Sequence, residues 1–235
     1  MKIKNIIASG CSFTSNGLGG TPPTKDNPGS NCFNDNQCVA QTWVSHLAKM
    51  IAPISFVNLG ACGHGNTLIS KTLIDTVAKF NYSPDNTLVL FNISSIDRLD
   101  VVCEYNTDNK EIKWTQDILD YSFRPVYGPH WRNSLLSTES VEDVEQQSIE
   151  SLVQLFDFLN STGYPYAFTT MKDYTNLDVV VQNSDHLVPL PNVGMYEYAK
   201  SIDQIAIDGF HPSVSAHCQI AEYTLNFVKE KYKCV

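Results

Sequence analysis

Two short stretches at opposite ends of the chain contain the residue types of nucleophilic catalysis. The first, IIASGCSFTSNG at residues 6–17, is an apolar run that ends at a glycine and then presents Ser12. The second, DGFHPS at residues 208–213, places Asp208 three positions before His211, close enough for the two side chains to meet in a tight turn. A carboxylate that orients an imidazole makes a general base, and a serine needs such a base to act as a nucleophile at pH 7.

Each stretch also has a purely structural interpretation. A serine that follows a strand is commonly the N-cap of the next helix, and an isolated Asp-x-x-His commonly opens a helix with a solvated histidine. A third stretch, the glycine turn GACGHGN at residues 60–66, follows a second apolar run. Taken singly, each of these stretches leaves the structural and the functional interpretation open.

Apolar periodicity predicts the elements that must position these residues. Continuous apolar runs predict strands over 2–9, 55–59, 86–93 and 164–171, and helical spacing predicts helices over about 39–51, 67–80, 141–160 and 213–232. Ser140 or Thr138 is the expected N-cap of the third helix, and Gly163 lies past its end. Strands that alternate with helices indicate an α/β architecture with a parallel sheet, whose carboxyl ends carry the ligand site. Ser12, residues 60–66 and residues 92–95 should therefore converge.

The blocks GCSFT, VNLGACGHGN and DGFHPS together resemble those of the SGNH (GDSL-like) hydrolases. A fourth block, LVLFNISSIDR, matches the family's third block less closely. The resemblance implies a flavodoxin-like three-layer α/β/α sandwich around a parallel sheet of about five strands. The length of the chain indicates one domain over residues 1–235, and the irregular, aromatic-rich residues 100–138 are interpreted as an insertion in it.

The resemblance also assigns roles to individual residues. Ser12 matches the nucleophile, His211 the base and Asp208 the acid that orients the base. The backbone N–H groups of Ser12 and of Gly63 match two donors of the oxyanion hole, where counting from the start of the block selects Gly63 rather than the earlier glycine of the turn. Cys11 stands where the family usually has an aspartate.

The third donor is the weak point of the match. The family pattern G-x-N-D would place the donating asparagine at Ile96, which has no polar group. A shifted register places Asn92 there, directly at the end of the strand, and Ser94 is the alternative donor. Loss of one such donor typically lowers the rate by ~10²–10³.

Charge and hydropathy exclude several classes of partner. Lys and Arg number 16 against 25 Asp and Glu, a formal net charge of −9, and no basic run occurs. Nucleic acid and anionic membranes are therefore not expected partners. The lysines and short apolar run of MKIKNIIASG fall short of a signal-peptide core and predict a first strand. We expect a cytoplasmic protein, or one otherwise without a signal peptide.

The cysteines predict neither a disulfide framework nor a metal site. There are seven, an odd number, which favours free thiols, with Cys32 and Cys38 as the pair that could form a bridge. The sequence has no CxxC motif and its six histidines are scattered, so a zinc site is not expected.

The expected function is a serine esterase that removes a small O-acyl group, with an acetyl ester of a carbohydrate as the expected substrate and neither metal nor organic cofactor. An acyltransferase on the same fold and a catalytically weak carbohydrate-binding module remain open. A flavodoxin-type FMN binder is a further alternative, although it gives DGFHPS no role. The Gly- and Pro-rich loop at 15–38 has no assigned role. Trp114, Tyr127 and Trp131 belong either to a wall of the site or to a small core of the insertion.

Overall fold

Strands and helices alternate along most of the chain. The computed structural model describes residues 2–15, 42–61, 63–106, 111–115, 140–206 and 208–233. The strands are β1 Asn5–Ser9, β2 Ser55–Asn58, β3 Thr87–Ile93, β4 Val101–Asn106, β5 Glu111–Thr115 and β6 Tyr166–Thr170. The helices are α1 Trp43–Ile51, α2 Asn66–Phe80, α3 Val141–Thr162, α4 Asp178–Gln182, α5 Met195–Ser201 and α6 Val214–Tyr232, with short 3₁₀ helices at Pro84–Asn86 and Ser184–His186. The predicted loop beyond residue 15, the pair Cys32 and Cys38, and the aromatic positions Tyr127 and Trp131 lie outside the described residues.

Four parallel strands form the central sheet, in the order β2-β1-β3-β6. Ile7 of β1 lies between Val57 of β2 and Val89 of β3, and Phe91 of β3 pairs with Phe168 of β6. The parallel α/β sheet that the sequence predicts is thus confirmed, although the described ranges contribute four strands to it rather than about five. All four strands end at the same edge of the sheet, where Ser12 and the glycine turn emerge.

The sheet separates two apolar layers, because successive side chains of a strand point to opposite faces. Ile6, Leu88 and Leu90 face one core cluster with Trp43 and Leu47 of α1 and with residues of α6. The other cluster holds alternate side chains of the same strands together with residues of α2 and α3, among them Ile7, Val89, Phe91, Leu73 and Phe156. The predicted three-layer sandwich follows directly from this alternation. No helix in the described ranges is long and apolar enough to cross a membrane.

Four elements differ from the sequence prediction. Residues 100–138 were expected to be irregular, yet β4 and β5 pair there as an antiparallel ribbon. The helices α4 and α5 lie between the strand predicted at 164–171 and the helix predicted at 213–232, where the apolar pattern predicts no element. These helices have five and seven residues, too few for a 3.6-residue apolar period to repeat. The ribbon has a clearer signal, since VVCEYN and EIKWT are rich in β-branched and aromatic residues.

The ends of the long helices follow their capping residues. Ser140 begins α3 with a capping box, in which its Oγ accepts the N–H of Asp143 while the Asp143 carboxylate accepts the N–H of Ser140. Gly163 ends the same helix with φ 72°, a left-handed conformation that glycine adopts without strain. Ser213 caps α6 by accepting the N–H of Ala216. Of the two expected caps of α3, Ser140 is therefore the one used.

His217 is a buried titratable group on α6, the helix that packs against α1. Its side chain is almost inaccessible, with the whole residue 5% exposed, and its Nδ1 has no hydrogen-bond partner in the part of the chain that the structure describes. Burial, together with the nearby imidazoles of His46 and His211, lowers the pKa of His217 to about 3. Folded His217 therefore stays neutral between about pH 3 and pH ~6.5, where a histidine of the unfolded chain is protonated.

We expect His217 to make the free energy of unfolding depend on pH. An unfolded histidine binds a proton near pH ~6.5, whereas folded His217 does so only near pH 3, so stability falls as the pH decreases below 6.5 by about 1.4 kcal/mol per unit. Urea unfolding of wild type and of His217→Leu between pH 7 and pH 5 measures this slope. The free energy of unfolding of the variant should change less steeply with pH, by up to about 1.4 kcal/mol per pH unit. An unchanged slope would contradict the lowered pKa of His217.

Candidate active site

Ser12 sits on a tight turn directly after β1. The carbonyl oxygen of Cys11 accepts the N–H groups of Thr14 at 2.9 Å and of Ser15 at 3.0 Å, which closes a single helical turn. Residues 11 and 13–15 are buried, and Ser12 is the one member of the turn that is partly exposed. The first N–H groups of a helical turn are not used by its own hydrogen bonds, so the backbone N–H of Ser12 is suited to bind an external oxygen.

Thr14 fixes the turn against its surroundings. Its Oγ1 accepts the indole N–H of Trp43 at 3.2 Å, and its carbonyl accepts the side-chain amide of Asn58 at 2.9 Å. A Cβ placed on Gly10 would lie 2.4 Å from Oγ1 of Thr14, and one placed on Gly60 would lie 3.0 Å from its Cγ2. A side chain at position 10 would therefore clash with Thr14, whereas one at position 60 would require Thr14 to shift slightly.

The DGFHPS stretch forms a compact loop before α6. The N–H of Ala206 donates to the carbonyl of His211 at 2.8 Å, which ties the two sides of the loop together. Gly209 turns the chain with φ 74°. The imidazole of His211 packs on the buried ring of Phe13 with centroids 5.1 Å apart, and on Phe210 at 5.4 Å. The residue after Ser12 thus contacts the ring of His211.

The three residues form one continuous hydrogen-bonded chain. Nε2 of His211 lies 2.7 Å from Oγ of Ser12. Nδ1 of His211 lies 2.6 Å from Oδ2 of Asp208. A carboxylate only accepts hydrogen bonds, so Nδ1 carries the proton and Nε2 is left to accept the hydroxyl proton of Ser12.

The second oxygen of Asp208 holds the loop itself. Oδ1 accepts the N–H groups of Phe210 and of His211, each at 2.9 Å. Partial burial opposes ionisation, but these N–H groups and the imidazole outweigh it, and the pKa of Asp208 lies below its ordinary value. Asp208 is therefore a carboxylate at neutral pH, as the orientation of His211 requires.

The glycine turn after β2 lies beside the Ser12 turn. The N–H of Ala61 donates to the carbonyl of Gly10 at 3.0 Å, which joins the two loops. Gly63 adopts φ 81°, a conformation that favours glycine. The neighbouring His64 is partly buried, its Nδ1 has no hydrogen-bond partner among the described residues, and burial lowers its pKa to about 4. The imidazole of His64 is consequently neutral at pH 7.

Asn92 and Ser94 do not point into this cleft. Both residues have no exposed surface. Oδ1 of Asn92 accepts the thiol of Cys11 at 3.0 Å, and Nδ2 is directed at Thr169 and Met195. Oγ of Ser94 accepts Nη1 of Arg98 at 2.8 Å. The geometry thus gives neither side chain access to a bound substrate, in contrast to what the sequence match suggests.

Two polar residues have roles that sequence reasoning missed. Asn66, the first residue of α2, bridges to the chain just after β3: Oδ1 accepts the N–H of Ser94 at 2.8 Å and Nδ2 donates to Ser148 at 2.8 Å. Asp100 supplies the cap from outside the helix, accepting the N–H groups of Gly65 and Leu68 at 2.8 Å each. For Asn66 the sequence offers one signal, an asparagine at the start of a predicted helix. For Asp100 the sequence offers no signal.

Phe210 and Tyr196 extend the aromatic surface beside His211. Their ring centroids are 5.5 Å apart, and both side chains are partly exposed. Nζ of Lys172 lies 6.0 Å above the Phe210 ring. This surface could contact the alcohol part of an ester. Among the described residues, no group of three or more His, Cys, Asp or Glu is placed to hold a metal ion.

Solved structures of low sequence identity share this fold. The psychrotrophic esterase EstA from Pseudoalteromonas sp. is 12% identical, with a TM-score of 0.50 over 98% of this chain and 99% of that one. LAE5, an alpha/beta hydrolase enzyme from the metagenome of Lake Arreo, is 14% identical, with a TM-score of 0.51 over 96% and 94%. A member of the lipolytic G-D-S-L family from Veillonella parvula is 14% identical, with a TM-score of 0.48 over 94% and 96%. The sequence matches no protein-family model and no curated protein. The fold implied by the SGNH resemblance is thereby confirmed.

Asp100 should stabilise the start of α2, the helix that follows the glycine turn. Burial raises the pKa of its carboxyl, and the N–H groups that it accepts only partly oppose this effect. Asp100→Ala leaves those buried N–H groups without an acceptor, which we expect to lower the free energy of unfolding by about 1–3 kcal/mol.

Urea unfolding checks this expectation against Asp75→Ala, a substitution on the exposed face of the same helix, where Asp75 pairs with Lys71 at 2.8 Å. The control should change stability by less than about 0.5 kcal/mol. Asp100→Asn, which keeps one acceptor oxygen, should lie between the two. Equal stability of Asp100→Ala and Asp75→Ala would show that the cap is dispensable.

Proposed function

We propose that this protein is a carboxylic ester hydrolase in which Ser12 is the nucleophile, His211 the general base and Asp208 the residue that orients His211. The observation that best supports this proposal is the uninterrupted chain of hydrogen bonds from Oγ of Ser12 through the imidazole of His211 to Oδ2 of Asp208. Its geometry matches the requirement that a nucleophile, its base and the orienting group lie within hydrogen-bond reach of one another.

The first half of the reaction forms an acyl-enzyme. Oγ of Ser12 attacks the ester carbonyl while Nε2 of His211 takes the hydroxyl proton, and the Asp208 carboxylate stabilises the resulting imidazolium. The carbonyl oxygen becomes an oxyanion, which the backbone N–H groups of Ser12 and Gly63 would bind. His211 then gives its proton to the leaving alcohol as the carbon–oxygen bond breaks.

The second half returns the enzyme to its starting state. A water molecule gives a proton to Nε2 of His211 and attacks the acyl carbon, and the proton passes back to Oγ of Ser12 as the acid leaves. The side chains of His211 and Asp208 are 34% and 51% exposed, which favours access of water to the base. This exposure supports hydrolysis over transfer of the acyl group to a second alcohol.

A small acyl group, with acetyl on a carbohydrate as our specific proposal, suits the surface around Ser12. The large apolar side chains that are strongly exposed in the described structure are Met50, Ile54, Val153, Val181, Val214 and Tyr223. None of them belongs to the described residues of the loops around Ser12 (10–15, 60–61, 63–66, 206 and 208–212), so this described part of the loops offers no strongly exposed aliphatic chain to a long fatty acyl group. The aromatic pair Phe210 and Tyr196 suits a sugar ring better.

Ser12→Ala and His211→Ala should each abolish ester turnover without unfolding the protein. Removal of the nucleophile or of its base typically lowers kcat by roughly 10⁴-fold or more, because each acts only with the other. Hydrolysis of p-nitrophenyl acetate measures the rate, and circular dichroism checks the fold. Near-normal turnover in either variant would contradict the mechanism.

A fluorophosphonate probe separates a selective enzyme from a binding module. Covalent labelling of wild type that disappears in Ser12→Ala supports a reactive serine even if p-nitrophenyl acetate is a poor substrate. A folded wild type that is not labelled would favour the catalytically weak carbohydrate-binding module.

The preferred acyl chain should be short. We expect kcat/KM not to rise from p-nitrophenyl acetate to the octanoate, since each methylene would remain largely in water instead of gaining the ~0.8 kcal/mol of burial. Ser12→Ala provides the background rate for each ester. A maximum at octanoate would replace the acetyl proposal by a lipase-like preference.

A further inference from the structure

Asn92 lies under the Ser12 turn, at the point where β1, β3 and β6 end. Its backbone pairs with Thr169 of β6. It lies on the same face of the sheet as Leu88 and Leu90, since strand residues two apart share a face. An ideal Cβ on Gly10 would lie 3.1 Å from the Cβ of Asn92. The side chain thus packs directly against the backbone that leads into the nucleophile.

The amide of Asn92 is directed entirely into the protein. Oδ1 accepts the Cys11 thiol at 3.0 Å, and Nδ2 lies 3.4 Å from Oγ1 of Thr169 and 3.5 Å from Sδ of Met195. Oγ1 of Thr169 also donates to the same sulfur at 3.3 Å. These contacts connect the Ser12 turn with β6 and α5, and they occupy both ends of the amide.

Cys11 connects the buried amide of Asn92 to the turn that carries Ser12. Its side chain is fully buried, while its carbonyl accepts the N–H groups of Thr14 and Ser15 that close the turn. Cys11 and Ser12 are adjacent, so the direction in which the thiol is held limits how the turn can rotate. A displacement of a reacting group by about 1 Å can cost ~10² in rate.

We infer that Asn92 is a positioning residue, which holds Oγ of Ser12 against His211 through the thiol of Cys11 and does not donate to the oxyanion. This inference rests on the proposed function, in which Ser12 is the nucleophile. It gives Cys11, which stands where the SGNH pattern has an aspartate, a defined role as the link between a buried amide and the turn.

A kinetic double-mutant cycle tests the inference with Cys11→Ala, Asn92→Ala and the double variant on p-nitrophenyl acetate. Each single change should lower kcat by about 10- to 100-fold with little effect on KM, and the double variant should be no slower than the slower single variant, because both changes break the same link. If Asn92 were an oxyanion donor, Asn92→Ala would instead lower kcat by a further ~10²–10³-fold in the Cys11→Ala background. Such additivity would overturn the inference.

Cys11→Ser is the conservative variant. Its hydroxyl can still donate to Oδ1 of Asn92, so kcat should recover to within a few-fold of wild type, and this recovery should vanish when Asn92→Ala is added. Cys218→Ala, a free cysteine of α6, is the matched control and should leave kcat unchanged. Full activity of Cys11→Ala would overturn the inference even if Asn92→Ala fails to fold.

An NMR measurement distinguishes failure of the inference from failure of the proposed function. The ring-proton resonances of His211 report its contact with Ser12 whether or not an ester is turned over. They should move in Cys11→Ala toward their positions in Ser12→Ala and stay at the wild-type positions in Cys11→Ser. Unmoved resonances in Cys11→Ala would refute the positioning role, whereas absence of ester hydrolysis and of probe labelling in wild type would refute the function alone.

Discussion

The hydrogen bond between Nε2 of His211 and Oγ of Ser12 is the constraint on which the rest of the site depends. It joins residues 199 positions apart, so no local structure can create it. The parallel sheet brings the end of β1 to the edge where the loop before α6 arrives, because α1 and α6 pack together over the same face of that sheet. Phe13 then contacts the ring of His211, so the apolar core extends up to the hydrogen bond between Ser12 and His211.

The loops at this edge are fixed by side chains rather than by regular hydrogen-bond ladders. Thr14 holds the indole of Trp43 and the amide of Asn58, while Asp100 reaches the first N–H groups of α2. Each contact pairs a backbone or side-chain polar group that would otherwise be buried without a hydrogen bond. Leaving such a group unpaired lowers the stability by about 1–3 kcal/mol. The partners lie on different elements, so the same bonds that satisfy these groups also fix the loops relative to one another. Ser12 and His211, which are both partly exposed, thereby rest on polar contacts that are wholly or partly buried.

The sequence predicts most of the framework, since long periodic or continuous apolar segments reflect burial directly. The predicted strand at 86–93 and the helix at 141–160 agree with β3 and α3 to within two residues at each end. The short helix α5 is missed because its stability comes from packing and not from a repeated pattern. The juxtaposition of Ser12 with Asp208 and His211 follows from the order of the blocks, whereas Asp100 could not be assigned, because its partners on α2 are more than 30 positions away.

Asn92 marks the boundary of what position in the chain can predict. Its place at the end of β3 makes it look like a donor to the cleft, but the two-residue period of the strand directs its amide under the turn, beside Leu90. The position of a residue at a strand end determines at which edge of the sheet it lies. The face to which its side chain points determines which groups that side chain can contact. Solved structures share this fold at only 12% and 14% identity, and a shared fold does not assign a site. Function therefore has to be argued from the few side chains whose direction matters, with Ser12, His211 and Asp208 facing outward and Cys11 and Asn92 facing inward.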